Sequence, residues 1–146
     1  SPARTEDDDS PQRIVIGMDG SPDSMLAVEA VAQRGWRQDS AARLVTAIEP
    51  VLVGTAGFDV DLKEIEEMRK KAAGKLESAG LHVSTSMKVG DAKKILVEEA
   101  ETWGADAIFI GAKGHSFMER ALLGSVSYAV AARAHCSVEV IRPTAY

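Results

Sequence analysis

Short apolar runs alternate with amphipathic helical patterns along this chain, and that alternation restricts its fold more than any other feature. Five runs are predicted to form strands, at residues 14–16, 44–48, 81–89, 107–110 and 137–141. Helical periodicity fills the intervals between them, beginning near residues 22, 60, 92 and 125. Strands that alternate with helices in this way predict an α/β fold with one doubly wound, Rossmann-like parallel sheet of five strands and helices on both faces.

The chain is expected to form one folded domain after a short tail. Residues 1–12 are polar, with an acidic run at positions 6–9, and they are predicted to be a flexible acidic tail because they have too little apolar surface to bury. Residues 13–146 are long enough to form one compact domain with its own core. Within it, the apolar connection at residues 51–59 is predicted to be either a flap over a ligand or a surface covered by a partner subunit.

Composition excludes several classes of function. The net charge is −5, and basic residues do not cluster with aromatic ones, which argues against a general nucleic-acid binder. Neither a membrane-length apolar run nor a signal-peptide pattern is present, so we expect no membrane partner. The single cysteine, Cys136, allows no internal disulfide and fits the reducing cytoplasm. It is predicted to be a small, buried residue at a strand start; the alternative is a redox-reactive thiol near His135.

A glycine-rich segment follows the fourth predicted strand and leads into the last predicted helix. Its glycines are Gly111, Gly114 and Gly124, and Ser125 follows, which gives the spacing G-x2-G-x9-G-S. Glycines after a strand let backbone amides approach phosphate oxygens, and a helix start adds free donors and partial positive charge. The segment therefore predicts a phosphate-binding site, although the same glycines could serve only to shape turns.

This spacing resembles the G-x2-G-x9-G-[ST] signature of the universal stress protein (UspA-like) family, in its ATP-binding branch. The resemblance covers about residues 13–142. It implies a strand order of 3-2-1-4-5, homodimerisation through the last strand, and ATP as ligand. We expect any Mg²⁺ to arrive with the nucleotide, bound by phosphate oxygens and water, because the motif offers no cluster of carboxylates.

The resemblance also implies roles for individual residues. In a sheet of this order, the binding crevice opens between strands one and four. Asp19, after the first strand, would bind the nucleoside, and Ala47, which is small where the family often carries valine, would lie beside adenine. The phosphate side of the site would comprise Gly111, Lys113, Gly114, Gly124, Ser125, Val126 and Ser127. Alternatively, Asp19 belongs to a turn or a helix cap, and Ser125 caps the last helix.

Other polar residues give weaker signals. Lys113 and Arg120 could neutralise phosphate charge or be ordinary solvated side chains. The histidines at 82, 115 and 135 lack ligand spacing, so no protein metal site is predicted. Asp91 is expected to cap the third helix.

Since the chain has no Walker-type G-x4-G-K-[ST] and no evident base to orient water, we assign no catalytic residue and expect slow ATP hydrolysis at most.

Three functions remain open from the sequence. The first is an ATP-binding stress-response or signalling module that alters contacts with unknown protein partners. The second is a dimeric interaction module of the same fold that binds no nucleotide. The third is an adenylating enzyme of the adenine-nucleotide α-hydrolase-like group. One departure bears on assembly: Glu139 interrupts the last apolar strand, so two copies meeting there would oppose like charges unless each carboxylate pairs with a cation.

Overall fold

The computed structural model describes residues 10–19, 22–48, 58–112 and 124–143, and only the backbone at 58–61. Residues 1–9 of the predicted tail (1–12) lie outside these ranges, as do residues 51–57 of the predicted connection (51–59). Lys113, Gly114, His115 and Arg120 lie outside them as well.

The described residues form alternating strands and helices, as the sequence pattern predicts. The elements are β1 (Arg13–Gly17), α1 (Pro22–Gln33), β2 (Ala41–Ile48), α2 (Phe58–Ser78), β3 (His82–Val89), α3 (Ala92–Trp103), β4 (Ala107–Gly111), α4 (Ser125–Arg133) and β5 (Ser137–Ile141). The strands form one sheet in the order β3-β2-β1-β4-β5, and every neighbouring pair is parallel. The predicted fold class and strand order are therefore confirmed.

Each face of the sheet carries its own apolar core. Ile14 and Ile16 of β1 pack with α1 and α2, whereas Val15 points to the opposite face and packs with α3 and α4. The central strands are covered on both faces, which explains why the sequence of β4 is apolar throughout. The edge strand β3 has no fully buried residue: Val83, Ser84 and Ser86 are partly buried and the others are exposed, as expected for an outer strand.

Two element boundaries test the predictions made from local sequence. The predicted cap of α3 is confirmed, since the Asp91 carboxylate accepts a hydrogen bond from the Lys93 amide at 3.0 Å. The alternative role of Ser125 as the cap of α4 is wrong. Gly124 occupies the N-cap position, and Ser125 is already the first helical residue.

One strand begins earlier than its apolar run. β2 begins at Ala41 rather than at residue 44, because the Ala41 amide already donates to the Gln12 carbonyl at 2.8 Å. The described ranges contain the helices α1 to α4. None of these helices has the length and hydropathy needed to cross a bilayer.

Candidate functional site

A crevice arises where the connections of neighbouring strands diverge. β1 and β4 are adjacent, and Ile16 pairs with Phe109 near their carboxyl ends. The helix after β1 packs on one face of the sheet, and the helix after β4 packs on the other. Open parallel sheets bind ligands at such a switch point, outside the carboxyl ends of the strands. The topology thus places the candidate site between the end of β1 and the end of β4.

Asp19 stands at the point where the chain leaves the sheet after β1. The amide of Met18 still donates to the Val45 carbonyl of β2 at 2.9 Å, so Asp19 is the first residue beyond this ladder. Its side chain is partly buried. Ala47 lies near the same end of β2, is partly buried, and packs with the core on the α3–α4 face. Both residues therefore lie at the edge of the sheet where the crevice opens.

Gly111 ends β4 in close contact with the first turn of α1. A Cβ atom added at Gly111 would lie 2.6 Å from both the carbonyl carbon and the carbonyl oxygen of Asp23, and 2.7 Å from the Asp23 Cβ. Real Cβ atoms do not approach backbone so closely, so any side chain here would displace α1. The first glycine of the motif is therefore required by helix packing, whatever the site binds.

The chain enters α4 beside the end of β4. The Gly124 amide donates to the Ala112 carbonyl at 2.7 Å, and the Ala112 amide donates to the Ile141 carbonyl of β5 at 2.9 Å. Gly124 has φ −67° and ψ 157°, an extended conformation that any residue can adopt. These hydrogen bonds place the start of α4 at the same sheet edge as the ends of β1 and β4.

The first turn of α4 presents backbone donors at this edge. Its first intrahelical bond runs from the Tyr128 amide to the Gly124 carbonyl, at 3.0 Å. The amides of Ser125 and Val126 precede that bond and have no acceptor within the helix, and the helix dipole adds partial positive charge there. Ser125 is exposed and Val126 partly buried. Such a turn can bind an anion.

Ser127 differs from its neighbours in this turn. Its side chain is 2% exposed, and its hydroxyl donates to the Gly111 carbonyl at 2.6 Å. The predicted phosphate contact from this hydroxyl stays a prediction, and the structure gives the hydroxyl a partner inside the protein.

The structure brings most of the predicted site residues to one edge of the sheet. These are Asp19, Ala47, Gly111, Gly124, Ser125, Val126 and Ser127, while Lys113 and Gly114 lie outside the described residues. Sequence reasoning missed Asp23, whose backbone borders the site against Gly111. Across the described residues, no three His, Cys, Asp or Glu side chains are grouped so that they could hold a metal ion.

Cys136 is less suited to redox chemistry than to packing. The residue is partly buried against the α3–α4 core, just before β5. Burial raises the pKa of its thiol, which lowers the fraction of reactive thiolate. The neighbouring His135 lies 3.6 Å from the Glu101 carboxylate. These surroundings favour the structural role predicted for this cysteine.

Comparison with known proteins agrees with this architecture. The chain is 32% identical to universal stress protein A homolog 2 of Coxiella burnetii, over 88% of this chain and 92% of that protein. It is 30% identical to the universal stress protein Rv2624c of Mycobacterium tuberculosis, over 88% of this chain and 47% of that protein. The chain thus spans about half the length of the first curated relatives that it matches.

A solved structure extends the comparison. A universal stress protein in complex with cAMP superimposes with a TM-score of 0.67 at 27% sequence identity, over 91% of this chain and 98% of the other. The sequence profile of the universal stress protein family matches residues 11–142. The match covers nearly the whole chain and includes every element of the sheet. The chain therefore belongs to the universal stress protein family.

Proposed function

We propose that this protein binds an adenine nucleotide, with ATP as the favoured ligand, and acts as a nucleotide-dependent stress-response or signalling module. The observation that carries the proposal is the start of α4. Its first turn begins at the sheet edge where β1 and β4 diverge, with the amides of Ser125 and Val126 free of partners within the helix. Helix amides at a switch point are a recurrent way to bind the phosphates of a nucleotide.

The remaining site residues suit the nucleoside. The Asp19 carboxylate can accept hydrogen bonds from ribose hydroxyls or from the adenine amino group. Ala47, at the end of the neighbouring strand, has a side chain small enough to leave room for a base and keeps its main-chain groups. In the proposed pose, Lys113 and Gly114 lie along the phosphates, and Mg²⁺ enters with them rather than through protein ligands.

The relative solved with cAMP supports an adenine nucleotide as the ligand class. cAMP and ATP share adenine and the ribose 2′-hydroxyl, so the contact proposed for Ala47 and an Asp19 contact to either of those groups apply to both ligands, whereas the 3′-hydroxyl is free only in ATP. They differ in the length and charge of the phosphate group, which is the part proposed to lie against α4. We propose no catalytic residue, and we expect any ATP hydrolysis to be slower than about one turnover per second, below the range of ordinary enzymes.

A second candidate is a dimeric interaction module that holds no nucleotide, and two observations favour it. Gly111 is needed for the packing of α1, and the Gly124 amide already bonds to Ala112. Both positions therefore have roles in the fold that require no ligand. In either candidate we propose a homodimer through β5, which lies at the opposite edge of the sheet from β3.

Titration calorimetry with ATP, AMP and cAMP separates the two candidates. The informative variant is Gly124→Val, because its backbone conformation suits valine while the new side chain stands at the phosphate side of the site. We expect it to bind nucleotide about tenfold more weakly or worse, as a charge-assisted hydrogen bond is lost or displaced. Gly35→Ala is the control, since an added Cβ there meets nothing within 4 Å.

Two results would contradict the proposal. If the wild-type protein binds none of the three nucleotides, the proposed nucleotide binding is wrong and the interaction module becomes the favoured function. If Gly124→Val binds as tightly as the wild-type protein, the phosphates do not lie at the start of α4.

A further inference from the structure

One buried hydrogen bond joins the first turn of α4 to the end of β4. The hydroxyl of Ser127 donates to the carbonyl oxygen of Gly111 at 2.6 Å, and the serine side chain is 2% exposed. A carbonyl oxygen can only accept, so the single hydroxyl proton of Ser127 is committed to this bond. That proton is unavailable to a phosphate oxygen while the bond lasts.

The acceptor of this bond is held firmly. Gly111 pairs with Ile141 of β5 in the parallel ladder, and its other side rests on the backbone of Asp23. The second tie of the turn runs from the Gly124 amide to the Ala112 carbonyl, at 2.7 Å. The first turn of α4 is thus attached to the end of β4 at two points, one before the helix begins and one within its first turn.

We propose that Ser127 is a positioning residue, whose hydroxyl fixes the first turn of α4 so that the amides of Ser125 and Val126 are directed into the crevice. This assignment rests on the proposed function, and it replaces direct ligand contact as the role of the Ser127 hydroxyl. Without this anchor, one of the two hydrogen bonds described above is lost, and the Gly124 bond and the packing of Val126 on the core still hold the turn against β4. The amides then spend less time in the orientation that a phosphate needs, which lowers affinity through preorganisation.

Hydrogen exchange on the ligand-free protein tests the anchor by itself. The probe is the Tyr128 amide, whose bond to the Gly124 carbonyl closes the first turn, and the reference is the Ala134 amide at the end of α4, bonded to Val130 at 2.9 Å. In Ser127→Ala, the Tyr128 amide should exchange about tenfold faster relative to the Ala134 amide, because one buried hydrogen bond is lost. An unchanged ratio overturns the proposal.

Ser40→Ala is the matched control. Ser40 is another fully buried serine whose hydroxyl makes a hydrogen bond, accepting from the Gln12 amide at 3.0 Å. It precedes β2 and therefore lies at the amino-terminal edge of the sheet, opposite the crevice. We expect this variant to lose stability without changing the ratio of exchange rates between Tyr128 and Ala134.

Calorimetry with cAMP then connects the anchor to binding. Ser127→Ala should bind about tenfold more weakly than the wild-type protein, and Ser40→Ala should bind as the wild type does. A Ser127→Ala variant that exchanges faster at Tyr128 but keeps wild-type affinity overturns the positioning role. If the wild-type protein binds no nucleotide, the proposed function is wrong. The exchange experiment then still decides whether Ser127 anchors the helix.

Discussion

A glycine in a predicted nucleotide-binding motif can be required for the approach of a ligand or for the packing of the protein itself, and Gly111 is required for packing. A glycine is required because the backbone of Asp23 lies against the position that a Cβ atom at residue 111 would occupy. Backbone atoms cannot change rotamer to make room, so the conflict cannot be relieved locally. The close approach of α1 to β4 therefore explains the glycine at this position.

Gly111→Ala should lower the free energy of unfolding by about 2 kcal/mol or more, because the added methyl group overpacks a rigid contact. Chemical denaturation with urea measures the change. Gly74→Ala is the matched control, since Gly74 is an exposed residue of α2 and an added Cβ there meets nothing within 4 Å. That variant should be more stable by about 1 kcal/mol, the difference in helix propensity between the two residues. A Gly111→Ala variant as stable as the wild-type protein would show that α1 adjusts freely.

The close approach of Asp23 to Gly111 could not be predicted from sequence. The two residues are far apart in the chain, and their contact depends on where α1 crosses the end of a strand that is not its neighbour in sequence. The local sequence pattern identified Gly111 as a predicted site residue and explained the glycine by ligand binding. The structure shows another reason, the close crossing of α1 and β4, which a local sequence pattern does not encode.

An ion pair with a buried carboxylate links β3 to α3. Glu99 of α3 is 7% exposed, and its carboxylate accepts a hydrogen bond from the Lys88 Nζ of β3 at 2.7 Å. Arg43 of β2 lies 3.9 Å from the same carboxylate. The edge strand β3 is therefore joined to α3 by an ion pair.

This arrangement gives the stability of the protein a defined acid dependence. Burial acts to raise the pKa of Glu99, but the hydrogen bonds from Lys88 and Ser86 together with the positive charges of Lys88 and Arg43 hold the pKa below the ordinary value of 4.5. A carboxylate with a lowered folded-state pKa stabilises the protein above its unfolded-state pKa. That contribution is lost as the pH falls through the folded-state pKa.

Glu99→Gln should therefore lose less stability than the wild-type protein when the pH falls from about 5 to about 3. Urea unfolding at several pH values gives the two slopes. Glu98→Gln serves as control. Glu98 lies on the exposed face of the same helix, and its Oε1 atom is 3.9 Å from the Lys94 Nζ. The slope of this variant should match that of the wild-type protein. Equal slopes for all three proteins would show that Glu99 does not set the acid dependence.

At the level of elements, periodicity was sufficient for the order and type of strands and helices. It was weaker at boundaries, where β2 gains Ala41, Ala42 and Arg43, which do not extend the apolar run, and α4 takes its cap from Gly124 rather than a serine. A signal for the buried charge was present in the sequence. Glu99 falls within the inward stripe of Ile95, Leu96 and Ala100, and a carboxylate in such a stripe predicts a cation nearby. Which cation it meets follows only from the register of β3 against β2.

The possible charge conflict at the β5 edge is resolved inside each chain. The guanidinium of Arg34, just after α1, donates to both carboxylate oxygens of Glu139, with a distance of 2.6 Å from Nη1 to Oε2. Arg34 also lies 4.9 Å above the ring of Phe109 in β4. Glu139 thus has the cation that a strand pairing with its own copy would require.

Arg34→Gln should weaken the proposed β5 dimer by roughly threefold, because it leaves Glu139 without its partner and two such carboxylates then repel. Glu139→Gln removes the charge itself and should leave the dimer as strong or stronger. Sedimentation velocity over a range of concentrations at low salt measures both. Equal weakening by the two substitutions would mean that the ion pair itself, rather than neutralisation of Glu139, supports assembly. A wild-type protein that stays monomeric throughout would exclude the dimer.

The hydrogen bond between the Gly124 amide and the Ala112 carbonyl has a consequence for how such a molecule can evolve. The bond brings together the two ends of residues 113–123, and with the Ser127–Gly111 bond it fixes α4 against β4 through residues outside that segment. Substitutions between these two ends can therefore change ligand preference, while the hydrogen bonds that position α4 stay encoded outside them. Relatives that share this contact can diverge in what they sense while they inherit the same framework.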